Sequence, residues 1–157
     1  MPKKGRAARD TSELDGALNG YVDTSVRVRY AETDQMGVAY YANHFIWFEL
    51  GRTDYIRRSG TTYREIEEQG GCYITVAEAR CRYHAPVRYD DVLTIRTRLK
   101  SIRRRVIHFT YEVLAEDGTK VASGETIHVV TDSEGKPRTL PEHYHEALLE
   151  GRSKVQR

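Results

Sequence analysis

Asp34 and Gly37 lie in the stretch Ala31-Glu32-Thr33-Asp34-Gln35-Met36-Gly37-Val38-Ala39-Tyr40-Tyr41-Ala42-Asn43-His44-Phe45, which sets one aspartate before a glycine and ahead of helix-like aromatic sequence. Two roles are open to such an aspartate. As a loop residue it caps a local turn with its own side chain. As a reagent it gains from its position. The first N–H groups of a buried helix start are unpaired and carry positive partial charge. Gly37, with no Cβ, lets the chain pass close to a ligand. A carboxylate just upstream then faces an electrophilic carbonyl whose oxygen rests on those N–H groups. That is a nucleophile or general base opposite an oxyanion hole.

A second feature is the run Lys100-Ser101-Ile102-Arg103-Arg104-Arg105, preceded by Arg96 and Arg98. It reads either as an exposed strand face ending in a basic turn or as a phosphate-binding patch, because arginines hold phosphate oxygens bidentately. No RNA-binding signature accompanies it and the strand aromatics form no stacking set, so a small polyphosphate suits it better than nucleic acid. Other chemistries lack their residues. Val121-Ala122-Ser123-Gly124 lacks the first glycine of a nucleophile elbow, and no Walker loop or dinucleotide fingerprint occurs. The six histidines are scattered; only His143 and His145 are close, without further ligands, so no metal is expected. Cys72 and Cys81 match no zinc spacing, and along a strand they would stand roughly 30 Å apart, too far for a bridge.

The elements that must position these residues follow from the pattern. With 157 residues, 39% hydrophobic and 31% charged, the chain reads as one soluble domain with a core of its own. Its net charge of +2 does not by itself imply nucleic acid. No apolar run is long enough for a membrane span, and the basic N-terminus has no apolar signal segment, so the cytoplasm is the expected location. Residues 1–22 are polar and aperiodic and are expected to form a disordered tail. Ser25 to Tyr30 alternates as a strand. Asn43 to Ser59 reads as the main helix, capped by Asn43 and closed by Gly60. Its first half, with Phe45, Ile46, Trp47, Phe48 and Leu50, is apolar nearly all round and predicts burial on more than one side. A short helix, Tyr63 to Gln69, follows. Strands are then expected over Cys72 to His84 with a bulge near Val76-Ala77, over Val92 to Lys100, over Val106 to Leu114 and, after an Asp117-Gly118 hairpin, over Val121 to Thr131. A terminal helix is expected from Glu142 to Glu150. One long helix against an antiparallel sheet of five or more strands is an α+β domain.

At the level of motifs, the chain resembles the hotdog-fold acyl-CoA thioesterases, the group containing 4-hydroxybenzoyl-CoA thioesterase and related short-chain acyl-CoA enzymes. The resemblance runs from about Val26 to Pro141. It rests on Tyr30-Ala31-Glu32-Thr33-Asp34, Gly37-Val38, Tyr41-Ala42-Asn43, Phe48-Glu49, Tyr83-His84-Ala85-Pro86-Val87, Tyr89-Asp90-Asp91-Val92-Leu93-Thr94-Ile95 and the basic turn. It implies a hotdog domain over residues 23–141, followed by a helix and tail over 142–157, and a homodimer or homotetramer. Asp34 matches the family's catalytic carboxylate. Tyr41 stands where members carry histidine or tyrosine, with its backbone N–H polarising the thioester carbonyl. Arg103, Arg104 and Arg105 match the triplet that meets the CoA phosphates. Glu49 matches a helix carboxylate near the acyl group's hydroxyl, against the alternative of an i+3 ion pair with Arg52. The acyl pocket is expected beside the helix start, with Gly37, Tyr40, Tyr41, Trp47 and Glu49 around it. No cofactor, no nucleic acid and no membrane are expected. Acyl-carrier protein in place of CoA, a non-catalytic acyl-CoA-binding protein, and nucleic-acid binding through Arg96 to Arg105 are the competing readings.

Overall fold

The computed structural model of the chain describes residues 20–154. The tail expected over residues 1–22 lies outside the described residues up to 19, and its inner boundary falls earlier than expected. Strand β1 spans Val22–Arg27 rather than beginning at Ser25. Val22 is completely buried and pairs with Thr97, while the Tyr21 ring lies 4.0 Å under the Arg96 guanidinium. The gain in apolar burial and pairing extends the strand past what alternation alone marked. A single 3-10 turn at Tyr30–Glu32 ends this segment.

Helix α1 spans Asn43–Arg58 and helix α2 spans Tyr63–Glu68. Four strands follow: β2 Tyr73–Tyr83, β3 Val92–Arg103, β4 Val106–Leu114 and β5 Lys120–Thr131. They join β1 in one antiparallel sheet of order β1-β3-β4-β5-β2, which leaves β1 and β2 as edges. The register of β2 on β5 slips between Val76 and Glu78, where the alternation predicted a bulge. Helix α3, Glu142–Lys154, follows the sheet. It is packed against the domain, with Leu148 fully buried and the Tyr144 hydroxyl donating to the Glu65 carbonyl at 3.2 Å.

The period-2 pattern decides which face meets α1. Leu93, Ile95, Thr97 and Leu99 of β3 and Ile107, Phe109, Tyr111 and Val113 of β4 are all buried on one side. From α1, Trp47, Phe48, Gly51, Tyr55 and Ile56 press into that face, and Phe48 stacks on Tyr111 with centroids 4.3 Å apart. A Cβ on Gly51 would overlap the Thr97 hydroxyl, so only glycine lets α1 lie this close to β3.

Two expectations about α1 need correcting. Asn43 is not its cap: Ala42 holds that position with no side-chain cap, and the Asn43 amide donates to the Glu32 carbonyl at 2.8 Å. The turn before the helix brings that carbonyl within reach, and a tertiary hydrogen bond replaces the local one. The burial on more than one side expected of the first half is also incomplete within one chain. Trp47 and Phe48 are sealed, but Ile46 and Leu50 are 50% and 46% exposed. A single sheet covers one side of a helix, and this flank faces away from it.

Candidate functional site

Glu32 builds the site's frame. Its buried carboxylate accepts from the Arg29 N–H at 2.8 Å and from the Trp47 indole N–H at 3.0 Å. Its carbonyl takes the Tyr40 N–H at 2.8 Å beside the Asn43 amide. One residue thus clamps the loop at both ends to the start of α1. Burial pushes the Glu32 carboxyl up, but the bonds from Arg29 and Trp47 and the Arg29 charge outweigh it and hold the group below the usual carboxylate range. Glu32→Gln replaces a charged acceptor by a neutral amide beneath the indole. The expected result is a loss of about 1–3 kcal/mol in urea unfolding at pH 7, and an unchanged midpoint would remove Glu32 from this role.

Between the clamped ends the loop folds on itself. Asp34 N–H donates to the Val38 carbonyl at 2.9 Å and Gly37 N–H to the Asp34 carbonyl at 3.0 Å. Asp34 Oδ1 accepts the Met36 N–H at 2.8 Å, so the aspartate does cap a local turn with one oxygen. Gly37 has φ +76, a left-handed conformation that a side chain disfavours. Ala39 N–H then donates to the Val87 carbonyl at 2.6 Å, tying the loop to the segment after β2.

A cavity of about 390 Å³ opens between this loop, the start of α1 and the end of β2. Asp34, Met36, Val38 and Tyr41 line one side, and Tyr83, Ala85, Pro86 and Val87 the other. In the first turn of α1, the N–H groups of Asn43, His44 and Phe45 reach back to the carbonyls of Tyr40, Tyr41 and Ala42 at 3.0, 3.3 and 3.1 Å. Among the described residues, the N–H groups of Tyr41 and Ala42 have no such backbone acceptor. The Tyr41 carbonyl is fixed from the other side by the Tyr83 hydroxyl at 2.8 Å. A carboxylate and a helix start with free donors therefore share one mostly apolar cavity, which suits attack on a carbonyl whose oxygen gains negative charge.

Of the residues expected here, Asp34 and Tyr41 come together and Gly37 shapes their loop. Tyr40 lies outside the wall, half-exposed, with its ring 4.7 Å from that of Tyr41. Trp47 is fully buried and spends its N–H on Glu32. Glu49 is two-thirds exposed on α1, 3.9 Å from Arg52, so within one chain the ion pair is the arrangement formed. Arg103 ends β3, and Arg104 and Arg105 make the turn into β4, all three exposed. Asp34 sits near the other end of β3, where Val28 N–H meets the Asp91 carbonyl. Twelve strand residues separate those ends by roughly 35 Å. Glu32, His44 and Tyr83 were not singled out from sequence. Only their aromatic and acidic surroundings hinted at them, because their partners lie far along the chain.

Comparison with known proteins agrees with this architecture. The acyl-CoA thioester hydrolase YbgC of Escherichia coli O157:H7 is 32% identical over 117 residues, 74% of this chain and 87% of its own. The crystal structure of DHNA-CoA thioesterase from Staphylococcus aureus superposes with a TM-score of 0.77 at 32% identity, covering 85% of this chain and 89% of the other. A 4-hydroxybenzoyl-CoA thioesterase variant solved with 4-hydroxybenzoyl-CoA shares the fold, with a TM-score of 0.74 at 21% identity over 82% of this chain and 98% of that one. The sequence profile of the thioesterase-like superfamily matches residues 28–148, and the five-stranded antiparallel sheet wrapped on α1 is the hotdog fold. The chain belongs to the thioesterase-like superfamily and is a thioester hydrolase of that family.

Proposed function

We propose that the chain hydrolyses an acyl-CoA to the free acid and CoA in the cavity between the Asp34 loop and the start of α1. The observation that carries this reading is the cavity lined by both Asp34 and Tyr41, the latter at the helix start with an N–H that has no backbone acceptor among the described residues. The thioester oxygen rests on the Tyr41 N–H, and Asp34 acts on the carbonyl carbon by one of two routes. In the first, the carboxylate attacks, CoA leaves as thiolate and water cleaves the mixed anhydride. In the second, Asp34 takes a proton from a water that attacks directly. Either route works without a strong acid, because a thiol of pKa near 8.5 is a competent leaving group. The activity named for YbgC and for the Staphylococcus aureus enzyme supports the reaction class. The test is thiol release from aromatic, short-chain and long-chain CoA thioesters, with Asp34→Asn alongside and acyl-carrier-protein thioesters as the matched alternative.

The nucleotide is assigned to Arg103, Arg104 and Arg105 of a second copy. Strand β2 is an open edge, and Ile46 and Leu50 leave a flank of α1 uncovered. Antiparallel pairing of two β2 edges hides both and sets the partner's basic turn at the Asp34 end of the sheet. Replacing the three arginines by alanine is expected to raise KM for acyl-CoA about tenfold, from three exposed phosphate contacts of roughly 0.5 kcal/mol each. KM for the corresponding N-acetylcysteamine thioester, which has no phosphates, is expected to stay unchanged. Equal effects on both substrates would remove these residues from CoA binding.

A further inference from the structure

Tyr41 stands between the Asp34 loop and α1, and no side chain caps the helix that begins behind it. Bonds from elsewhere hold it on both sides. Ahead of it, the Tyr40 N–H donates to the Glu32 carbonyl at 2.8 Å, and the Tyr40 carbonyl accepts the Asn43 N–H at 3.0 Å. Behind it, the Tyr41 carbonyl accepts the Tyr83 hydroxyl at 2.8 Å. That last donor comes from the opposite wall of the cavity. Tyr83 ends β2, where it pairs with Ala122 of β5. A side chain carried by a strand held in the sheet is a firmer reference point than one carried by a loop.

The Tyr41 carbonyl does not need this bond to be satisfied. His44 Nδ1 stands 3.2 Å from the same oxygen, and the His44 main-chain N–H donates to it at 3.3 Å. A carbonyl only accepts, so the ring hydrogen is assigned to Nδ1. Both His44 donors remain if the phenol loses its oxygen. Tyr83 itself is half-exposed, so that loss leaves no buried group unpaired and stability has little to lose. What the hydroxyl supplies is position. The carbonyl carbon and the amide nitrogen of Tyr41 meet at one Cα, so a bond that pins the carbonyl also fixes where the N–H points. The bonds at Tyr40 and Asn43 fix the other side of the same residue. Burial and the Cys81 thiol beside it push the Tyr83 phenol's pKa up, so the hydroxyl keeps its hydrogen and stays a donor.

We infer that Tyr83 is a positioning residue for thioester cleavage: by holding the Tyr41 carbonyl from the far wall, its hydroxyl aims the Tyr41 N–H at the substrate's carbonyl oxygen. It acts through the Tyr41 main chain and not on the substrate. This rests on the proposed hydrolysis in the same cavity. Negative charge grows on the thioester oxygen as Asp34 or water adds to the carbon. The aim of the donor therefore counts for more in the transition state than in binding, and a hydrogen bond weakens steeply once misaligned.

The test is Tyr83→Phe, which keeps the ring and removes the hydroxyl. Turnover is read on benzoyl-CoA and butanoyl-CoA. On the faster of the two, kcat is expected to fall about tenfold, a part of the hundredfold or more that loss of a whole oxyanion donor costs. KM is expected to stay within about twofold, the pattern of an interaction made in the transition state, and the urea unfolding midpoint to stay unchanged. A second readout needs no turnover. The same thioester, labelled with ¹³C at its carbonyl, is bound to Asp34→Asn and its carbonyl stretch is read by isotope-edited infrared difference spectroscopy. Adding Tyr83→Phe is expected to raise that frequency, because a poorly aimed N–H polarises the bond less. Unchanged kcat, a raised KM at unchanged kcat, or an unmoved stretch in the double variant overturns the inference. Where Tyr83→Phe shifts the midpoint, the stretch in the folded protein decides. Because it requires binding alone, the stretch separates failure of Tyr83 from failure of the hydrolysis reading. The latter shows as no CoA release from any thioester or as full turnover in Asp34→Asn.

Discussion

Asp34→Asn is expected to lower kcat on the best CoA thioester by about a thousandfold while leaving the fold intact. The side chain's hydrogen bond within the loop is the one Oδ1 accepts from the Met36 N–H. An asparagine oxygen accepts the same bond, so the turn and the Gly37 conformation persist. What disappears is the anionic oxygen, and with it both routes proposed for Asp34. The unfolding midpoint is therefore expected to stay within the roughly 0.5 kcal/mol typical of a surface substitution. Loss of turnover with an unchanged midpoint assigns the chemistry to Asp34. Near-full turnover in the folded variant would transfer it elsewhere and leave Asp34 as a turn residue.

The second large effect lies in the core and concerns acid. His128 is fully buried, its Nε2 2.7 Å from the Thr126 hydroxyl, which in turn lies 2.6 Å from the Tyr111 hydroxyl. Burial, with smaller repulsions from Arg52 and His108, lowers its pKa from 6.5 to about 3. Between those values the unfolded chain binds a proton that the folded chain refuses. The folded state thus has its full stability above pH 6.5 and loses it progressively as pH falls toward 3. At about 1.4 kcal/mol per unit, the gap amounts to on the order of 4–5 kcal/mol. Urea unfolding from pH 7 to pH 4 is expected to show stability falling with a slope of up to one proton from this residue. In His128→Asn, which does not titrate, that part of the slope is expected to vanish. Parallel pH profiles for the two proteins, or a His128 NMR titration with an ordinary midpoint, would overturn the assignment. His44, lowered for the same reason, adds in the same direction.

Much of the scaffold was legible because it rests on local periodicity. The alternation of Leu93, Ile95, Thr97 and Leu99 against Thr94, Arg96, Arg98 and Lys100 specifies which face of β3 is buried, since a strand repeats every two residues. Asp117-Gly118 placed the hairpin, with Gly118 at φ +85. The slip at Val76 betrayed the bulge. Local reading failed where a distant partner competes. Asn43 has the chemistry of a cap, yet the Glu32 carbonyl eleven residues back takes its amide. Trp47 has the look of a pocket wall, yet Glu32 draws its N–H inward and the ring is sealed.

The sequence by itself determined the α+β architecture, the hotdog family resemblance, and the pairing of a carboxylate with a helix start, because these depend on spacing and residue type along a short stretch. Tertiary structure decided what surrounds that carboxylate. Tyr83 and Val87 reach the site from the end of β2, 42 and 48 residues beyond Tyr41 and Ala39, through bonds that no local pattern encodes. It also decided that Arg103, Arg104 and Arg105 stand at the far end of the sheet from Asp34. A strand of twelve residues is a rigid spacer whose length follows from sequence, but which end faces the site depends on how the chain returns. His44 shows the same division: its sequence position places it at the helix start, and only packing against Trp47 and Tyr83 leaves one ring nitrogen buried without a partner.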